Sequence, residues 1–167
     1  MLGGEVFRGR VGAAGEIGHV SVDEHGSVCR CGNRGCLETI VGAPALLETV
    51  RSSHGALSLR DVIVRAGDGD PGCRRVISDA GRHLGMAVAT VCNVIDPEIV
   101  VVGGELAEAG ELLLEPLRAA IEACTIPAVV GPVRVVAGEL GASAEVRGAL
   151  AVALDQVSIA GPRQVAG

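Results

Sequence analysis

The chain has 167 residues, of which 49% are hydrophobic but only 1% aromatic, and its formal net charge is −6. That length fits one domain with a substantial core, which Val, Ala, Leu and Ile must fill. Phe7 is the lone aromatic residue and every cation is an arginine, scattered apart from the Arg74-Arg75 pair. Recognition by base stacking, a basic groove for nucleic acid and a P-loop lysine are therefore all excluded.

The elements follow in chain order. Residues 5–8 resemble a short strand after Gly3-Gly4, and residues 18–22 alternate as a second strand. Residues 23–34 are rich in glycine and polar side chains and form a loop. From 37 to about 52 apolar residues recur at helical spacing, with a break at Pro44. Residues 59–66 form a shorter helix capped by Ser58. Asp70-Pro71 opens a long helix to about Ile95, with Asp as cap and Pro in the first turn. Residues 97–102 are a continuous β-branched run, as expected of a strand buried on both faces. Gly103-Gly104 ends it. Helical periodicity returns over 106–124, a strand follows at 133–136, and a last helix spans about 144–156. This alternation indicates an α/β fold. Residues 158–167 read as a frayed tail.

The chemistry is concentrated in one stretch, Glu16-Ile-Gly-His19 through Cys29-Arg-Cys31-Gly-Asn-Arg-Gly-Cys36-Leu-Glu38. Three cysteines and a histidine lie close enough to share one tetrahedral metal, and zinc takes such a set in structural sites with no position left for water. Glycines at 32 and 35 relax the turn. No secretory signal or membrane-spanning run is evident, so a cytoplasmic setting is expected, where such spacing favours metal over disulfides. Cys73, Cys92 and Cys124 are isolated and read as inert small hydrophobes. His25 and His54 are expected to face solvent, and His83 a helix surface.

Gly12-Ala-Ala-Gly-Glu-Ile-Gly-His-Val20 followed by Cys29-Arg-Cys-Gly-Asn-Arg-Gly-Cys-Leu-Glu38 resembles the signature of the ROK family, the group of repressors, open reading frames and kinases. Leu84-Gly-Met-Ala, Asn93-Val-Ile-Asp-Pro-Glu-Ile-Val-Val-Val-Gly-Gly104 and Leu140-Gly-Ala-Ser-Ala continue the resemblance in the family's order. It implies an actin-like, ribonuclease-H-like ATPase fold, of which residues 1–157 would form the C-terminal lobe, stapled by zinc over 19–38. It further implies that His19, Cys29, Cys31 and Cys36 hold structural zinc and that Glu16, His19 and Glu38 meet a sugar. Gly103 and Gly104 would lie near the adenosine of a bound nucleotide.

The family's kinases carry an Asp-x-Gly-Gly-Thr phosphate turn and an Asn-Asp pair whose aspartate is the general base. Neither occurs here. Phosphoryl transfer needs both groups, so no catalytic residue is assigned, and ATP is expected only with the complementary lobe. The wording of the cysteine motif is closer to the family's regulators. The resulting expectation is the sugar-sensing and oligomerisation part of a ROK-type regulator, without its DNA-binding domain. The alternative is the C-terminal half of a glucokinase or N-acetylhexosamine kinase. The expected partners are a sugar or amino sugar and a second copy of the chain, with no direct contact to nucleic acid or membrane.

Overall fold

The computed structural model describes residues 1–126 and 133–159. The helices are α1 (Glu38–Val41), α2 (Ala43–His54), α3 (Leu59–Gly67), α4 (Pro71–Ile95), α5 (Glu111–Cys124) and α6 (Ala144–Ile159). The strands β1 (Ile99–Val102) and β2 (Arg134–Ala137) pair in parallel, with Ile99 opposite Arg134 and Val102 opposite Ala137. The α/β alternation of the second half is as the sequence indicates.

Helix entries follow local chemistry. Ser58 and Asp61 form a reciprocal capping box on α3, the Ser58 hydroxyl accepting from the Asp61 amide at 3.1 Å and the Asp61 carboxylate from the Ser58 amide at 2.9 Å. This satisfies two amides that have no partner within the helix. Asp70 caps α4 by accepting from the Cys73 amide at 2.8 Å, with Pro71 in the first turn. The helix stops at Asp96, whose φ of 49° is left-handed. Pro97 disfavours a helical residue before it, and aspartate tolerates this alternative.

Helix α4 is the spine of the molecule. One apolar cluster packs its first half (Cys73, Val76, Ile77, Ala80) against Leu46 and Val50 of α2, Val62 and Ala66 of α3, and Leu113 of α5. A second joins Cys92 to Leu114, Leu117 and Ile121 of α5 and to Val135 of β2. Between them α4 and α5 touch backbone to backbone. A Cβ added to Gly81 would lie 2.4 Å from the Leu113 carbonyl oxygen, and one added to Gly85 2.4 Å from that of Leu117. Polar ties close the layer. The Asn93 side chain donates to the Cys124 carbonyl at 3.1 Å and accepts from the Ile126 amide at 3.2 Å. Arg118 donates to the Val135 carbonyl from two guanidinium nitrogens, at 3.2 and 3.0 Å.

Several expectations are corrected. Residues 5–8 form no strand: a single bridge between Leu2 and Glu5 closes over Gly3 and Gly4, both at positive φ. Residues 18–22 form no strand either. A 3-10 turn at Ile17–His19 precedes one bridge from Ser21 to Cys36. In both places too few apolar residues alternate to hold an extended ladder. Among the described residues, helices cover β1 on one face only. Val100 and Val102 turn to the helices, while Ile99 and Val101 are 41% and 60% exposed. The 106–124 helix is split by Gly110 (φ 58°) into a 3-10 segment, Glu105–Ala109, and α5. The last helix runs on to Ile159. The tail beyond it lies outside the described residues.

The glycine contact predicts an asymmetry. Gly85→Ala should destabilise the chain by about 1–3 kcal/mol through overpacking. Gly67→Ala, at a helix end with nothing within 4 Å of the added Cβ, should be neutral or slightly stabilising. Urea unfolding of the two variants measures the difference.

Candidate metal and ligand site

The loop is built from backbone turns that only certain residues permit. Gly15, at φ 100°, leads into the 3-10 turn that delivers His19. Gly35 packs so tightly on the backbone of Asp23 that a Cβ would lie 1.5 Å from its carbonyl oxygen. The Cys29 amide donates to the Asn33 carbonyl at 2.7 Å and the Gly32 amide to the Cys29 carbonyl at 3.0 Å. That turn folds Cys31 back over Cys36. The Leu37 amide donates to the Val20 carbonyl at 2.9 Å, and Leu37 is buried. The loop is thereby anchored where α1 begins with Glu38.

These turns bring the four expected donors together. One ligand atom from each of His19, Cys29, Cys31 and Cys36 lies within 4.8 Å of all the others. His19 Nδ1 is 3.7 Å from the Cys29 sulfur, and the Cys31 and Cys36 sulfurs are 3.6 Å apart. A tetrahedral centre with metal–sulfur bonds of about 2.3 Å and a metal–nitrogen bond of about 2.0 Å has edges of about 3.5–3.8 Å between donors. The donor chemistry and spacing therefore fit a zinc-type ion. Cys29 and Cys36 are buried, and Cys31 is exposed.

The carboxylates join at the rim. Glu38 accepts from the Cys29 thiol at 2.9 Å, and its Oε1 lies 3.6 Å from His19 Nδ1. Glu16 is exposed, 3.9 Å from His19 Nε2. The imidazole thus turns one nitrogen to the sulfurs and the other to Glu16. Arg30, which the sequence reading passed over, grips Glu38 with both arms of its fork, Nε to Oε1 and a terminal nitrogen to Oε2, each at 3.2 Å. Its position between two clustered cysteines was the available signal.

The electrostatics of the free thiols follow from these contacts. The Cys31 backbone amide draws the Cys29 thiol downward. The hydrogen bond to Glu38, burial and the neighbouring thiols outweigh it and push the value up to about 12. The Asn33 backbone amide lowers Cys31, and burial raises Cys36. The Cys29 hydrogen bond, then Arg30, hold the Glu38 carboxyl below its ordinary range. A bound cation reverses the logic for the thiols, since binding requires thiolates and releases their protons.

Gly103 and Gly104 lie at the C-terminal end of β1, the side of a parallel sheet where α/β folds bind ligands. Gly104 has φ 85° and both positions are open. Cys73 and Cys92 are buried as expected, while Cys124 is exposed. The expectation for His54 fails: its side chain is only 14% exposed and bonds to Asp70 at 2.9 Å. A residue at a helix end can turn inward onto a neighbouring element, which spacing alone does not reveal.

A family model described as "ROK family" matches residues 1–156. A glucokinase of Halalkalibacterium halodurans is 33% identical over 77% of this chain and 44% of its own length. The DNA-binding transcriptional dual regulator NagC of Escherichia coli K12 is 35% identical over 82% of this chain and 36% of its own. The crystal structure of a ROK family glucokinase from Streptomyces griseus, in complex with glucose and AMPPNP, superposes with a TM-score of 0.81. It is 27% identical, over 91% of this chain and 55% of that one. The chain thus spans about half, or less, of the length of these proteins. Among its described residues, no helix is long and apolar enough to cross a membrane.

The loop geometry divides the cysteines. Cys31→Ala should loosen residues 23–38, with faster amide hydrogen exchange at Cys29 and Gly35. Cys124→Ala, at an exposed helix end, should change stability by no more than about 0.5 kcal/mol. Equal effects would contradict the division.

Proposed function

The chain belongs to the ROK family, and from that premise we propose that it is the sugar-sensing and oligomerisation part of a ROK-type transcriptional regulator, its C-terminal lobe stapled by structural zinc. The observation that carries this reading is the convergence of His19, Cys29, Cys31 and Cys36 beside Glu38, with Glu16 at the far edge of the His19 ring. Zinc, held by those four side chains, would supply a structural cross-link, since four protein donors complete a tetrahedral shell.

The sugar contacts fall to the chain's own residues. Each carboxylate accepts two or more hydroxyl hydrogen bonds. Arg30 fixes the plane of Glu38 by holding both of its oxygens, so its remaining lone pairs present a set direction to a ligand. Glu16 and the outer edge of His19 extend the same rim. The identity to NagC supports the regulator reading. A second reading, the corresponding half of a ROK sugar kinase, is favoured by the superposition on the glucose-bound glucokinase. In that case ATP would enter with the complementary lobe near Gly103 and Gly104. In either reading the chain alone carries no general base for phosphoryl transfer, makes no direct contact with nucleic acid and works in the cytoplasm.

Self-association belongs to the same proposal. Val146, Leu150 and Leu154 recur every four residues on α6 and are each more than half exposed. An isologous pairing of this stripe across a two-fold axis would remove it from water. Light scattering should give a dimer, and Leu150→Glu a monomer. A wild-type monomer across a wide concentration range would contradict the pairing.

Calorimetric titration with glucose and with N-acetylglucosamine tests the site. At least one should bind, and Glu38→Gln should weaken it by about 1.5–3 kcal/mol, the worth of a hydrogen bond to a charged group. A coupled ATP assay with the same sugars should show no turnover. Absence of binding to both, or measurable phosphorylation by this chain, would overturn the assignment.

A further inference from the structure

A second group of unlike donors lies at the opposite end of α2. His54 closes that helix, and Asp70 and Cys73 begin α4. A ring nitrogen of His54, a carboxylate oxygen of Asp70 and the sulfur of Cys73 all lie within 4.8 Å of one another. Cys73 is fully buried, and His54 and Asp70 are mostly buried. At about 1.5 Å per residue, the 12 residues of α2 separate this group from the start of that helix, beside the loop cluster, by roughly 18 Å.

Three features distinguish the group from a plain interhelical hydrogen bond. The histidine is held from behind, its Nδ1 being 2.7 Å from the Ser53 hydroxyl. Ligating histidines characteristically have such a partner on the nitrogen that does not face the metal. The Ser53 hydroxyl can itself donate to the Val50 carbonyl, 3.2 Å away, leaving its oxygen free to accept from an Nδ1 proton. Residue 72 is glycine: a Cβ there would crowd the His54 ring at 3.1 Å and Asp70 Oδ1 at 3.4 Å, so the face beside the donors stays clear. Finally, imidazole nitrogen, carboxylate oxygen and thiolate sulfur are the three donor types that zinc accepts.

We propose that His54, Asp70 and Cys73 form a second divalent-metal site, suited to zinc(II) or cobalt(II), that pins the end of α2 to the start of α4. It is independent of the sugar site and of the loop cluster. His54 Nε2 donates to Asp70 Oδ2 at 2.9 Å. A tetrahedral metal with bonds of about 2.0 Å to nitrogen and oxygen sets those atoms about 3.3 Å apart, so widening by about 0.4 Å admits the ion. The thiol proton leaves to solvent as the bonds to metal form. The imidazole, carrying one proton as a neutral ligand, holds it on Nδ1 and donates it to Ser53. Asp70 Oδ1 continues to cap Cys73, and Oδ2 alone ligates. The fourth position falls to water or an added ligand.

Zinc stoichiometry of the whole chain, measured after removal of loosely bound metal by gel filtration, is the test. Wild type should retain two equivalents per chain, and His54→Gln and Cys31→Ser one each. Glutamine can still donate to Asp70, so the helix junction is kept without the imidazole. Cobalt titration of the wild type gives a second reading: thiolate-to-cobalt absorption should rise in two steps and saturate at two equivalents, and Cys73→Ser should abolish only one step. A zinc count that does not fall in His54→Gln, or cobalt steps unchanged by Cys73→Ser, would overturn the proposal, whatever the loop cluster binds.

Discussion

Everything at the front of this molecule depends on one convergence, the meeting of an imidazole and three sulfurs contributed by residues 19, 29, 31 and 36. The segment has almost no core of its own. Before Gly35 only Cys29 is buried, so hydrophobic burial cannot account for its order. The backbone bonds of the 29–33 turn and the bridges at Ser21–Cys36 and Val28–Arg34 fix local shape. Beside His19 the Leu37 amide bonds to the Val20 carbonyl and the Cys36 thiol to the His19 carbonyl, but none of these holds the imidazole ring itself. A metal cross-link would, because its binding energy becomes folding energy for a loop that needs it.

From that point the structure stiffens along the chain. Leu37 is buried directly after the last cysteine, Glu38 opens α1, and α2 carries Leu46 and Val50 into the first core cluster. Helix α4 then crosses the whole body, with Gly81 and Gly85 letting α5 approach to backbone contact. A carboxylate in the first turn of a helix, forked by Arg30 and touching Cys29, is placed by both the loop and the body. That double anchoring fixes the direction of its lone pairs.

Much of this was legible in the residues, though not uniformly. Caps were read well: Ser58 and Asp70-Pro71 begin helices because their side chains or rings satisfy the first amides, a purely local effect. The convergence of the four donors was legible because cysteine spacing and flanking glycines constrain the loop within twenty residues. Short strands were not. Residues 5–8 and 18–22 carry short strand-like patterns, but a strand needs a partner, and only one bridge forms in each place. The β1 run is as apolar as a strand buried on both faces, yet among the described residues helices pack on one face alone. The inward turn of His54 and the fork of Arg30 on Glu38 were invisible for the same reason, since their partners lie 16 and 8 positions away in sequence. Membership of the ROK family rests on motifs that run the length of the chain, so it survived these local misses.

The most direct measurement is cadmium NMR of the metal-substituted chain, which reports the donor set of each bound ion separately. The account predicts one resonance in the range of sites with three thiolates and one nitrogen, coupled to the side chains of Cys29, Cys31, Cys36 and His19. No such resonance, or one coupled to fewer than three of these cysteines, would contradict it.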